Sequence, residues 1–206
     1  MRVRRKVITL KELISHFHSL MDTIQKESPI LNSKHSFSKR TDYLPERYEL
    51  ANGQEVHMEI GQRGHISDIL EIQRQGYEGK TPWGFVALEN DIVKSQKSLY
   101  LLIYSGTEPI AFLGSRFEIT DIHITNIAVA PAWQGKGVGS LLLQLLIAVA
   151  KEEKVSSITL EVRISNSKAQ ALYNKMGFKA LRIKRNYYHG DGEDAVDMKL
   201  NLANVS

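Results

Sequence analysis

Asn126-Ile-Ala-Val-Ala-Pro-Ala-Trp-Gln-Gly-Lys-Gly-Val-Gly-Ser-Leu-Leu-Leu143 joins an apolar, partly β-branched run to an apolar helix through a glycine-spaced turn. A strand that stops at Pro131, a glycine-spaced turn and an apolar helix that follows at once leave backbone N–H groups unpaired at a helix N-terminus, where they favour an anion. Gly135, Gly137 and Gly139 carry no Cβ to hold a ligand away from that backbone. The stretch therefore reads as a phosphate cradle. A Walker loop would need Ser or Thr after Lys136, where Gly137 stands. The dinucleotide fingerprint G-x-G-x-x-G would need glycine at 140 or 142, and these are Ser140 and Leu142. What remains is Gln134-Gly-Lys-Gly-Val-Gly139, a Q-x-x-G-x-G turn.

Working outward, the apolar pattern predicts a short β-hairpin around Asn52-Gly53 with Val56, Met58 and Ile60 facing inward. A helix over 66–75 and a second helical stretch after Trp83 follow. Next come strands over 99–104, 110–117 and 122–129, a long apolar helix over 139–153 and a strand over 158–162. A helix over 166–176 and strands over 178–185 and 195–200 close the chain. Hairpins followed by two βα units predict an α/β fold: a mixed sheet with helices on both faces.

The 206 residues suit one such domain with an appendage. Residues 1–54 hold ten Lys and Arg against six Asp and Glu, whereas residues 55–206 are balanced. The net charge of +4 thus belongs to an N-terminal extension, and 55–206 forms the body. Within the extension, Thr9-Leu-Lys-Glu12 has the form of a capping box, and apolar spacing predicts an amphipathic helix over about 10–26 followed by a polar linker. Its cationic residues, Arg2, Arg4, Arg5 and Lys6 among them, suit weak contact with RNA or the ribosome as well as they suit a solvated arm. No apolar run approaches the ~20 residues of a membrane span, so no membrane partner is expected. The chain has no cysteine, which excludes disulfides, Cys zinc sites and a cysteine acyl-enzyme and accords with a cytoplasmic protein. The seven histidines show no metal-ligand spacing, so no metal is assigned. No oligomeric state is assigned either.

The Q-x-x-G-x-G turn resembles the acetyl-coenzyme A pyrophosphate loop of the GCN5-related N-acetyltransferase (GNAT) superfamily. Leu160-Glu-Val-Arg163 with Ser165-Asn166, Ala171-Leu-Tyr173, Gly177-Phe178 and Arg185-Asn-Tyr-Tyr188 narrows the likeness. These segments, with Asn126-Ile-Ala-Val129 and Pro82-Trp83, are similar to the bacterial ribosomal-protein-alanine N-acetyltransferases, the RimI family, over about residues 56–200.

That resemblance implies the GNAT fold and an N-acetyltransferase. Acetyl-coenzyme A would be held by Ile127, Val129, Gln134, Gly135, Lys136, Gly137, Val138, Gly139, Ser140, Asn166 and Tyr173. It implies direct acetyl transfer to a protein N-terminal amine, an alanine of a ribosomal protein, with Val129 N–H on the acetyl carbonyl oxygen. Tyr187 and Tyr188 would line the acceptor groove. A lysine side chain, a polyamine or another small amine stays open as the acceptor. A non-catalytic coenzyme A-binding module is the reading from another class. Strand alternation puts Thr159, Glu161 and Arg163 on one face. A carboxylate there reads either as an ion pair with Arg163 or a nearby lysine, or as a general base whose pKa burial could raise. The resemblance favours the base, and gives Tyr173 the role of proton donor to the leaving thiolate. Asn166 also fits as the N-cap of its helix.

Overall fold

The computed structural model describes residues 8–9, 44, 46–77, 79 and 81–204. The helix expected over about 10–26 lies outside them. Among the described residues nine strands form one mixed sheet: β1 (Ile8–Thr9), β2 (Arg47–Glu49), β3 (Glu55–Ile60), β4 (Ser98–Ser105), β5 (Glu108–Phe117), β6 (Asp121–Val129), β7 (Ser157–Arg163), β8 (Lys179–Tyr188) and β9 (Glu193–Asn201). Their order is β1-β2-β3-β4-β5-β6-β7-β9-β8. The β1–β2 and β6–β7 pairs are parallel and the others antiparallel.

Among the described residues four α-helices cover the sheet: α1 (Ile66–Gly76), α2 (Phe85–Glu89, continued by a π-turn over Asn90–Lys94), α3 (Val138–Glu152) and α4 (Ser167–Lys175). α3 is apolar nearly all round. Leu141, Leu142, Leu145 and Leu146 join Leu101, Ile103, Leu113, Ile124, Leu160 and Val162 in the larger core, against which α4 also packs. On the opposite face Ile66, Ile69 and Ile72 of α1 and Leu88 of α2 cover Tyr100, Leu102, Tyr104, Phe112 and Ala128. Helices therefore lie on both faces, as the element order predicts. The Asn52-Gly53 turn closes its hairpin with Gly53 at φ +79°, and Val56 and Met58 are buried. Leu44, Tyr48 and Leu50 enter the same core, so the sheet begins ahead of residue 55.

Two irregularities open the sheet where chemistry can occur. The β5–β6 register shifts between Gly114 and Ser115, which pair with Asn126 and Ile124, so Thr125 is an extra residue, a β-bulge. Beyond it β6 and β7 separate, for their pairing ends at Ile124 with Leu160, while β7 stays paired to β9 through Arg163. A notch is left between the C-terminal halves of two parallel strands, and α3 starts at its mouth.

Candidate active site

One wall of the notch is backbone. Ala130 N–H bonds the Ile110 carbonyl on β5, so by alternation the N–H groups of Ile127 and Val129 point the other way, into the notch. β6 thus offers an unpaired edge to an extended ligand. At its end Gln134 does not point outward: its Nε2 donates to the Val129 carbonyl at 3.1 Å and ties the turn to the strand. Gly135 (φ +75°) and Gly137 (φ +92°) are left-handed, with open space where a Cβ would stand. Leu141 N–H is the amide that closes on the Gly137 carbonyl, so Val138, Gly139 and Ser140 present the free first-turn amides of α3.

These residues fit a diphosphate, and they do so through main-chain groups. Val138 gives only its backbone, because its side chain is buried in the core. Gly139 has a packing reason as well: a Cβ there would come within 3.1 Å of Leu172 on α4. Lys136 lies with Nζ 4.9 Å from the centre of the Trp133 ring.

The other wall is made of side chains. Thr159 pairs across the strands with His123, and His123 with Arg116, whose guanidinium bonds Asp91 behind α2. His123, Thr159 and Glu161 therefore share the α1 and α2 face of the sheet, beyond the reach of those helices. The Glu161 side chain is 11% exposed. Its partners are not Arg163. Lys184 Nζ of β8 donates to Oε1, and His123 Nε2 lies 3.2 Å from Oε2. His123 Nδ1 meets the Thr159 hydroxyl at 3.0 Å, and Lys184 also lies 3.6 Å from Asp197.

The expectation that burial raises the Glu161 pKa is overturned. Hydrogen bonding to His123, then to Lys184, outweighs desolvation and holds its carboxyl down at about 2. Arg163 turns instead to Asp191 (2.8 Å) and Glu193, and lies 4.0 Å from the Tyr188 ring centre.

Tyr187 and Tyr188 stand where the β8–β9 register breaks. Asn186 takes φ +49°, and Asp194 fixes it by accepting from Asn186 N–H and from Arg185. The two rings meet edge to face at 5.2 Å. Burial raises both phenols, Tyr188 to about 12, and Glu161 further raises Tyr187. Tyr173 on α4 is 5% exposed and packs against Phe178. Burial raises its phenol too, and Tyr77 and Tyr188 add to the shift. Asn166 is an N-cap as expected, with Oδ1 accepting from Ala169 N–H at 3.1 Å.

Three residues of this site escape sequence reasoning. His123 and Lys184 reach Glu161 only through strand pairing. Tyr77, just past α1, donates its hydroxyl to Asn126 Oδ1 at 3.2 Å across the edge of the notch. Plain alternation along β6 would put His123 on the face of Ile127 and Val129, and only the extra residue Thr125 turns it to Glu161.

A mixed sheet split between two parallel strands, with a glycine-turned helix at the split, defines an acyltransferase scaffold. Residues 66–178 match the acetyltransferase (GNAT) family, and the chain belongs to that family of N-acetyltransferases. It is similar to the [ribosomal protein bS18]-alanine N-acetyltransferase of Haemophilus influenzae, at 38% identity over 65% of this chain and 90% of that one. The N-alpha-acetyltransferase RimI of Mycobacterium tuberculosis is 33% identical over 70% and 91%. Among solved structures, the ribosomal-protein-S18-alanine N-acetyltransferase of Escherichia coli superposes with a TM-score of 0.65 at 29% identity, covering 71% of this chain and 94% of that one.

Proposed function

We propose that the protein transfers acetyl from acetyl-coenzyme A to the N-terminal amine of a protein, an alanine of a ribosomal protein such as bS18. The observation that carries this reading is the notch itself, with an unpaired β6 edge on one wall and the Glu161–His123–Lys184 cluster on the other. Names of the relatives point to the same acceptor.

The donor supplies an acetyl thioester. The amides of 138–140, with the Gly135 and Gly137 turn, would hold its diphosphate. Ile127 and Val129 would pair with its extended arm, and Val129 N–H would polarise the acetyl carbonyl.

Glu161, ionised throughout the physiological range, orients the acceptor amine and draws its departing proton. An α-amine has a pKa near ~8, so a useful fraction is already neutral and no strong base is needed. His123, bonded to Glu161 on one side and to the Thr159 hydroxyl on the other, puts a second proton-accepting group within hydrogen-bond reach of Glu161. Tyr173 stays protonated and donates a hydrogen bond to the developing thiolate. A phenol raised above 10 cannot pass its proton downhill to a thiolate whose conjugate thiol has pKa ~8.5, so its contribution is charge stabilisation and coenzyme A leaves as the thiolate, to be protonated by solvent. Tyr187 and Tyr188 would flank the acceptor peptide. Such an enzyme would work in the cytoplasm, and we further propose that the basic excess of residues 1–54 gives weak, salt-sensitive contact with RNA.

The test is acetyl transfer to peptides beginning with alanine, to internal-lysine peptides and to spermidine, with coenzyme A release followed. The reading predicts turnover of the alanine peptides at least tenfold above the others. Preference for lysine or spermidine would replace the acceptor, and donor binding without turnover on any amine would make the chain a binding module.

A further inference from the structure

Asn126 sits at the bulge, where β6 leaves β7. Its cross-strand partner is Gly114, and Gly114 in turn faces Tyr100, so the Asn126 side chain is on the α1 and α2 face, the face of Glu161. Gly114 gives it no side-chain neighbour there. The Tyr100 ring fills that space, 2.6 Å from where a Cβ of residue 114 would stand. Tyr77 occupies Asn126 Oδ1. The amide nitrogen is then committed to the opposite direction, and it is buried without a hydrogen-bond partner among the described residues. A buried donor left unpaired is destabilising, so one held in place beside a reaction centre calls for an acceptor.

We infer that Asn126 Nδ2 donates to the carbonyl oxygen of the acceptor's first residue, and that Tyr77 is the positioning residue that fixes the amide's orientation. This rests on the proposed function and deepens it. In a peptide N-terminus the first carbonyl is two bonds from the amine. Asn126 faces Glu161 across the opening, each just past the last β6–β7 pair, Ile124 with Leu160. An amine on Glu161 therefore brings that carbonyl toward Asn126. A lysine side chain or a polyamine has no carbonyl at that place. The pair thus sorts acceptors by class and reads no side chain.

The experiment is a double-mutant cycle on the full chain. Peptides beginning with alanine are compared with the same peptides whose first carbonyl is reduced to methylene, using wild type, Asn126→Ala, Asn126→Asp and Tyr77→Phe. In wild type the reduction should cost more than tenfold in kcat/KM. In Asn126→Ala the native peptide should lose about five- to tenfold, mostly in KM, and the reduced peptide almost nothing further. Asn126→Asp keeps the acceptor for Tyr77 but cannot donate, and should behave like alanine. Tyr77→Phe should lose about two- to fivefold on the native peptide only. Coenzyme A binding should stay within twofold in all. Equal losses on both peptides, or an Asn126→Asp that binds the native peptide as well as wild type, would overturn the inference. Wild type that acetylates spermidine or lysine but no α-amine removes the proposed acceptor and this role together, a result distinct from an additive cycle.

Discussion

The two walls of the notch are built from different material. The donor wall is main chain: amides of 127, 129 and 138–140, shaped by two left-handed glycines. The acceptor wall is side chain: Glu161, His123, Lys184, Tyr187 and Tyr188, gathered from β6, β7 and β8. Main chain binds what the local fold fixes, and tolerates most side-chain changes. A wall of side chains carries selectivity and proton chemistry, and each of its members can be lost singly. The difference implies that substitutions should separate into donor-binding and turnover classes.

The largest effect is expected from Glu161→Gln. It should lower kcat by about 10²–10³-fold while coenzyme A affinity, measured by calorimetry, changes less than twofold. A comparable loss of donor affinity would break the contrast between the walls. Tyr173→Phe should cost about 10–100-fold in kcat, the worth of one hydrogen bond to a developing charge, again with donor affinity retained.

On the donor wall, Gly137→Val forces a β-branched residue to φ +92°. Strain of about 1–2 kcal/mol should raise the coenzyme A Kd roughly tenfold, with kcat at saturating donor little changed. Lys136→Ala should alter that Kd less than threefold, since in the proposed reading main-chain amides would hold the diphosphate and Nζ rests over Trp133.

Titration sharpens the same comparison. Glu161 has a folded pKa near 2, below its unfolded value, so it stabilises the fold fully above about pH 4.5 and ceases to as pH falls toward 2. Acid melts of wild type and Glu161→Gln should differ by about 2 kcal/mol at pH 6 and converge near pH 2. For the same reason Glu161 is not the source of any acid limb in kcat/KM above pH 5. Any such limb should survive in Glu161→Gln, measured on its residual activity.

The contrast also explains what could be read in the sequence. Gly135, Gly137 and the apolar run after them report local geometry, so the cradle and α3 are legible from spacing alone. Alternation placed Glu161 on its face, and Asn166 announced its N-cap. The partners of Glu161 are not legible, because His123 is 38 residues away and Lys184 lies beyond a helix and a register break. Strand pairing, which no local pattern states, brings them together, and with them the sign of the pKa shift. Arg163, the nearest cation in sequence, is drawn off by Asp191 and Glu193 at the hairpin tip.

Thr125 gives β6 two phases. Ahead of it the odd-numbered His123 faces the acceptor, and after it the even-numbered Asn126 does. A chain one residue shorter here would run in a single phase, turning either His123 or Asn126 to the α3 face. It would also swing the Ile127 and Val129 amides toward β5 or leave them where they are, never satisfying both walls. The placement of the two walls is therefore coupled by the residue count along β6. An insertion or deletion between 123 and 129 should be the least tolerated change in the molecule.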